Sequence, residues 1–158
     1  LKSNGTPSVI ALSRQKVPYI NPQNTKGNKC EKGAYVVNIT SHENNVTIVA
    51  SGTEVELALK VQNKLLENNI HSKVVSMPCM ELFDKQTEDY RNDIIEQNSL
   101  VVTLEAGSVG SWQKYIKNKG INIGIDQFGE SAPYKDVYNH FGLSEDKITD
   151  FIQKKLRE

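Results

Sequence analysis

Apolar residues in this chain fall in short continuous runs rather than in strict alternation with polar ones. Runs over 34–39, 46–50, 73–77, 100–104 and 122–125 are set off by residues such as Gly33, Asn45, Ser51, Pro78 and Ser99. Continuous runs of this length predict strands covered on both faces, as in a parallel sheet. An earlier run over 8–13, Ser-Val-Ile-Ala-Leu-Ser, also predicts a strand, but no neighbouring run stands ready to pair with it.

Between the runs the period changes to that of helices. Thr53, with Glu56 three residues on, reads as a capping box opening a helix with Val55, Ala58, Leu59, Gln62, Leu65 and Leu66 on its apolar face. A helix with a patchier face is predicted over 87–97. Ser111 is placed to cap another over 112–118, with Gly120 as its stop. Pro133 falls in the first turn of a helix begun by Ser131 or Ala132, and Gly142 follows its end. Ser144 opens the last helix, striped by Ile148, Phe151, Ile152 and Leu156, with acids early and Lys154, Lys155 and Arg157 late, as the helix dipole prefers. Strands alternating with helices give an α/β fold of three layers: a mostly parallel sheet with helices on both faces.

At 158 residues the chain fits one domain with a short attachment, and it is long enough to bury a core without disulfide or metal. Lys+Arg and Asp+Glu both number 19, which excludes a strongly basic nucleic-acid binder. No apolar run approaches the roughly 20 residues of a membrane span. The charge is unevenly placed: residues 1–33 hold six Lys/Arg against Glu31, whereas 34–158 hold 13 Lys/Arg against 18 Asp/Glu. Turn formers crowd the same basic part (Pro18, Asn21, Pro22, Asn24, Gly27, Asn28, Gly33), so a linker is expected before a compact unit beginning near Ala34. Cys30 and Cys79 have no metal-type spacing and suit a reducing compartment, with Cys79 expected in the interior. His42, His71 and His140 are scattered, so no metal site is predicted. The opening Leu-Lys-Ser-Asn-Gly-Thr-Pro has neither a Met nor a secretory pattern, and a piece of a longer chain is expected.

Three loops follow predicted strands at the end where ligands of such sheets bind. Ser51-Gly52-Thr53-Glu54 leads into a helix N-terminus, either an anion site or an ordinary cap. Glu105-Ala106-Gly107-Ser108-Val109-Gly110-Ser111 offers a carboxylate for acid–base work or an interface, or simply a turn that needs its glycines. Asp126-Gln127-Phe128-Gly129-Glu130-Ser131 offers paired carboxylates or helix-capping acids. Arg14 ranks above these. It ends the 8–13 run, and a guanidinium there suits bidentate capture of phosphate or carboxylate, the alternative being a surface ion pair. No Ser/His/Asp or Cys/His set appears, so no catalytic residue is assigned.

Several segments together resemble the C-terminal end of transketolases. They are Ala11-Leu12-Ser13-Arg14-Gln15, Lys32-Gly33-Ala34-Tyr35-Val36 and Ala50-Ser51-Gly52-Thr53-Glu54-Val55-Glu56-Leu57-Ala58, then Val75-Ser76-Met77-Pro78 with Phe83-Asp84-Lys85-Gln86. Leu104-Glu105-Ala106-Gly107, Phe128-Gly129-Glu130-Ser131-Ala132-Pro133 and His140-Phe141-Gly142-Leu143 complete an ordered series over nearly the whole chain.

The resemblance implies that 1–15 end a pyrimidine-binding domain, 16–33 form a linker and 34–158 form the transketolase C-terminal domain. It implies ketol transfer between sugar phosphates in the pentose phosphate pathway, with thiamine diphosphate and a divalent metal (Mg), by a cytoplasmic homodimer that binds neither nucleic acid nor membrane. Arg14 in Leu-Ser-Arg-Gln matches the family arginine that contacts the substrate phosphate. The Gly-Asp-Gly…Asn metal–diphosphate motif is absent, so this chain by itself is expected to hold no cofactor or metal and to be inactive, serving assembly and phosphate contact. The last domain of deoxyxylulose-phosphate synthase or of a 2-oxoacid dehydrogenase β chain is the related alternative. Leu-Ser-Arg-Gln together with Phe-Gly-Glu-Ser-Ala-Pro favours transketolase over these. A stand-alone assembly domain is the non-enzymatic one, disfavoured because the 8–13 strand would leave an apolar edge unpaired.

Overall fold

A computed structural model describes residues 5, 7, 9–13, 15–20, 29–96, 98–116 and 120–158. Among them five strands form one sheet: β1 (Tyr35–Ile39), β2 (Val46–Ala50), β3 (Ser72–Ser76), β4 (Leu100–Leu104) and β5 (Ile121–Ile123). The helices are α1 (Glu54–Glu67), α2 (Met80–Asp84), α3 (Glu88–Ile94), α4 (Tyr134–His140) and α5 (Glu145–Leu156), and 3₁₀ turns cover Lys29–Lys32 and Gly110–Tyr115.

The strand order is β1-β3-β2-β4-β5, parallel throughout except for β1, which runs antiparallel to β3 along one edge. β2, β3 and β4 are buried at every position, as their uninterrupted runs predict. Successive side chains point to opposite faces and build two cores. Val46, Ile48, Ala50, Val74, Val102 and Leu104 meet Val55, Ala58, Val61 and Leu65 of α1 and Ile148 and Ile152 of α5. Val49, Val75 and Val101 face the other way, onto Phe83, Ile94, Trp112 and Tyr115. The expected three layers are therefore present. Burying each such aliphatic side chain contributes about 1.5–3 kcal/mol, so the cores dominate the energetics of the fold. Lys73 is drawn into the second layer at 2% exposure because its Nζ donates to the Asp93 carbonyl at 2.7 Å and to Glu96 at 2.6 Å.

Local departures from expectation have physical causes. No strand forms over the described residues 9–13. All five strands of the sheet come from later in the chain, and Val9, Ile10 and Leu12 are 95%, 63% and 86% exposed. Thr53 does not make the predicted capping box: its backbone is already helical (φ −67°, ψ −26°), whereas capping needs an extended residue. Its hydroxyl donates instead to Glu54 at 2.6 Å, and Glu56 pairs with Lys60 at 2.7 Å. The helix expected over 112–118 is a 3₁₀ turn over Gly110–Tyr115, whose three-residue repeat puts Trp112 and Tyr115 on the same buried side. α2 went unpredicted, being five residues long and beginning two residues after Pro78. Cys79 precedes it and is half-buried rather than interior, its thiol 3.5 Å from Glu81.

Candidate functional site

β2 sits between β3 and β4, and the chain leaves the two neighbouring strands β2 and β4 toward opposite faces. α1 follows β2 on one face, and the 3₁₀ turn carrying Trp112 follows β4 on the other. This reversal opens a crevice at the carboxyl ends of β2 and β4, where open α/β sheets hold ligands. Two of the three loops singled out in the sequence meet there.

Ser51, the residue after β2, donates to Glu105 Oε2 at 3.4 Å, and the Trp112 indole N–H donates to the same oxygen at 3.2 Å. Glu54, in the first turn of α1 and only 4% exposed, accepts from Thr53 and from the Tyr138 hydroxyl of α4. Thr53 and Tyr138 are themselves 3.3 Å apart, closing a small network. Burial, with the Glu54 charge second, pushes the Glu105 carboxyl above its ordinary range even though Trp112 and Ser51 favour its ionised form. Burial and the bond to Glu54 push the Tyr138 phenol up to about 12, so at neutral pH it remains a donor.

The anion-site reading of 51–54 does not fit this arrangement. Glu54 and Glu56 both lie in the first turn of α1 and already answer its dipole with negative charge. The acid–base reading of Glu105 fits better in one respect, since its pKa is displaced, but both glutamates have their donors inside the protein. Mutual satisfaction of this kind stiffens a crevice more than it prepares one for chemistry.

The third loop behaves differently. Asp126 accepts the Val109 amide at 3.1 Å and so ties the β5 end to the β4 loop, while the stretch from Gln127 to Pro133 is exposed, Phe128 at 99%. Asp126 thus serves a backbone amide, and Glu130 is exposed in the same loop. Gly124 explains the close approach: a Cβ there would stand 2.4 Å from Val109 and 2.7 Å from the Gly107 carbonyl.

A cleft of about 330 Å³ lies beside this network, lined by Thr53 just before α1, Lys60 of α1, Tyr134 and Tyr138 of α4, and Gln15 and Lys16 from the N-terminal segment. Arg14 lies outside the described residues; its neighbour Gln15 is at the cleft. The roles of Tyr138 and Trp112 were missed in the sequence. The signals available were the Tyr134/Tyr138 spacing of one helical turn and the Trp seven residues after Glu105.

Both the sequence and the fold have counterparts among known proteins. The sequence profile of the transketolase-like C-terminal domain covers residues 33–144. The chain belongs to the transketolase C-terminal domain family. Among curated relatives, the chloroplast transketolase of Solanum tuberosum is 38% identical over 90% of this chain and 19% of its own length. The transketolase of Bacillus subtilis is 35% identical over 100% of this chain and 24% of its own. A transketolase variant from Pichia stipitis superimposes with a TM-score of 0.81 at 26% identity, over 91% of this chain and 20% of that one. The chain thus spans about a fifth to a quarter of the length of these three transketolases. Phe128-Gly129-Glu130-Ser131-Ala132-Pro133, one of the segments on which the transketolase resemblance rests, is the exposed part of the third loop.

Proposed function

We propose that this chain is the C-terminal portion of a transketolase, which moves a two-carbon ketol unit from a ketose phosphate to an aldose phosphate in the pentose phosphate pathway. The observation carrying this reading is the end-to-end alignment with transketolases, which extends beyond the C-terminal domain through Leu-Ser-Arg-Gln at 12–15. On this reading residues 1–15 finish the preceding pyrimidine-binding domain, 16–33 link, and 34–158 form the domain described above. The complete enzyme is a cytoplasmic homodimer that uses thiamine diphosphate with Mg.

The described residues do not fit that cofactor. Among them no three His, Cys, Asp or Glu side chains gather to hold a metal, and Glu54 and Glu105 are engaged by Tyr138, Thr53, Ser51 and Trp112. On this reading its holders lie in the remainder of the enzyme, with the Gly-Asp-Gly…Asn segment that this sequence lacks. The chain itself, on the same reading, contributes to assembly and, through Arg14, to contact with the substrate phosphate, a role to which a guanidinium is suited. Binding energy collected at the phosphate holds the reacting carbons in place and so lowers the barrier as well as KM. Related transketolases from Pichia stipitis have been crystallised with xylulose 5-phosphate and with sedoheptulose 7-phosphate, the ligand class this role requires.

The coding sequence upstream of Leu1 tests the reading. Several hundred in-frame codons with a Gly-Asp-Gly…Asn segment support it. A start codon immediately before Leu1, with no partner gene encoding the remainder, overturns it.

A further inference from the structure

The chain has two cysteines, 49 positions apart in sequence, and the fold brings their backbones to one glycine. The Gly33 N–H donates to the Cys30 carbonyl at 3.1 Å, and the Cys79 N–H donates to the Gly33 carbonyl at 3.1 Å. Gly33 adopts φ +83°, and a Cβ on it would stand 2.4 Å from the Cys79 carbonyl oxygen and 2.2 Å from the Phe83 amide nitrogen, so the Lys29–Lys32 turn is pressed onto the start of α2. Lys32 adds a second tie, its Nζ lying 4.2 Å from the centroid of the Tyr90 ring. Cys30 is exposed, Cys79 is half-buried, and both are thiols. A disulfide needs Cα atoms roughly 4.4–6.8 Å apart. Both residues are hydrogen-bonded to Gly33, so a bond between them would join the Lys29–Lys32 turn to the residue preceding α2.

We propose that Cys30 and Cys79 form a reversible disulfide that fastens the segment before β1 to the start of α2, making this junction responsive to thiol redox state. The oxidant is a small-molecule disulfide of the glutathione type. The accessible Cys30 thiolate attacks one of its sulfurs and expels one thiolate. The Cys79 thiolate then attacks Cys30 Sγ in the mixed disulfide and expels the second. Two protein thiols lose two electrons and two protons, and the small disulfide gains both as two thiols. A reducing thiol pool reverses each step. The fastening acts on the linker, and it does not depend on the assignment of Arg14 or on the activity of the complete enzyme.

The test equilibrates the full chain in reduced–oxidised glutathione mixtures, traps remaining thiols by alkylation in acid and digests with trypsin. Cleavage after Lys29, Lys32, Lys73 and Lys85 places the cysteines on peptides 30–32 and 74–85. The expected product is these two peptides joined, lighter by two hydrogen atoms than their sum, recovered from monomeric protein and lost on reduction. Cys79→Ser should abolish the joined pair and leave a glutathione adduct at Cys30. Cleavage after Lys29 in the undigested fold should slow at least several-fold on oxidation in the wild type and remain unchanged in Cys30→Ser. Separate glutathione adducts on both cysteines with no joined pair, or joined peptides found only in disulfide-linked dimers, overturn the proposal.

Discussion

The Trp112 indole N–H donates to Glu105 Oε2 at 3.2 Å, so the side chain that closes the second core also anchors the carboxylate at the end of β4. That joint use links stability to the crevice. Glu105 has its pKa raised by burial and by Glu54, so the folded state holds its proton more tightly than the unfolded chain does. The sign follows from linkage: this stabilisation is present below the ordinary carboxyl value and is lost as pH rises through the raised one. Urea midpoints measured from pH 4 to 7 should therefore show the wild type losing stability relative to Glu105→Gln as pH rises. Parallel profiles for the two proteins would contradict the assignment.

Tyr138 reaches from α4 to the buried Glu54, and α4 buries none of its own residues. Its hydroxyl is thus a main tie between α4 and α1. Tyr138→Phe leaves the Glu54 carboxylate with Thr53 as its remaining side-chain donor among the described residues, which should cost about 1.5–3 kcal/mol, the range for a hydrogen bond to a charged group. Hydrogen exchange in α4 should accelerate, while β2 and β4 keep their protection.

Two glycines with positive φ separate backbone strain from close contact. Gly52 has φ +53° and open space where a Cβ would sit, so Gly52→Ala should cost about 1–2 kcal/mol from the left-handed conformation alone. Gly33 has φ +83° and backbone atoms at 2.2 and 2.4 Å from the same point. Gly33→Ala should then cost clearly more than Gly52→Ala, since α2 or the turn must move. Equal melting temperatures for the two variants would show that the turn is not packed as described.

The sheet was readable in the sequence because β2, β3 and β4 are buried on both faces, and such burial leaves no polar alternation in Val46–Ala50 or Leu100–Leu104. The α5 stripe was readable for half its members: Ile148 and Ile152 are buried, while Phe151 and Leu156 are 48% and 38% exposed. The run over 8–13 has the composition of a strand, but a strand also needs a neighbour. Composition cannot supply the hydrogen bonds a sheet requires. The crevice was half legible. Ser51, Glu54 and Glu105 sit at strand ends, which a sequence marks. Tyr138 and Trp112 reach them by tertiary folding across more than 80 residues in one case and through a 3₁₀ turn in the other.

The central claim concerns Arg14, and steady-state kinetics of Arg14→Ala in the complete enzyme tests it most directly. A charged hydrogen bond to phosphate is worth about 1.5–3 kcal/mol, so kcat/KM for xylulose 5-phosphate should fall about 10- to 150-fold. A ketose without phosphate should be processed nearly as before, because it never used the contact. An unchanged kcat/KM for xylulose 5-phosphate would contradict the account, as would an equal loss with both ketoses.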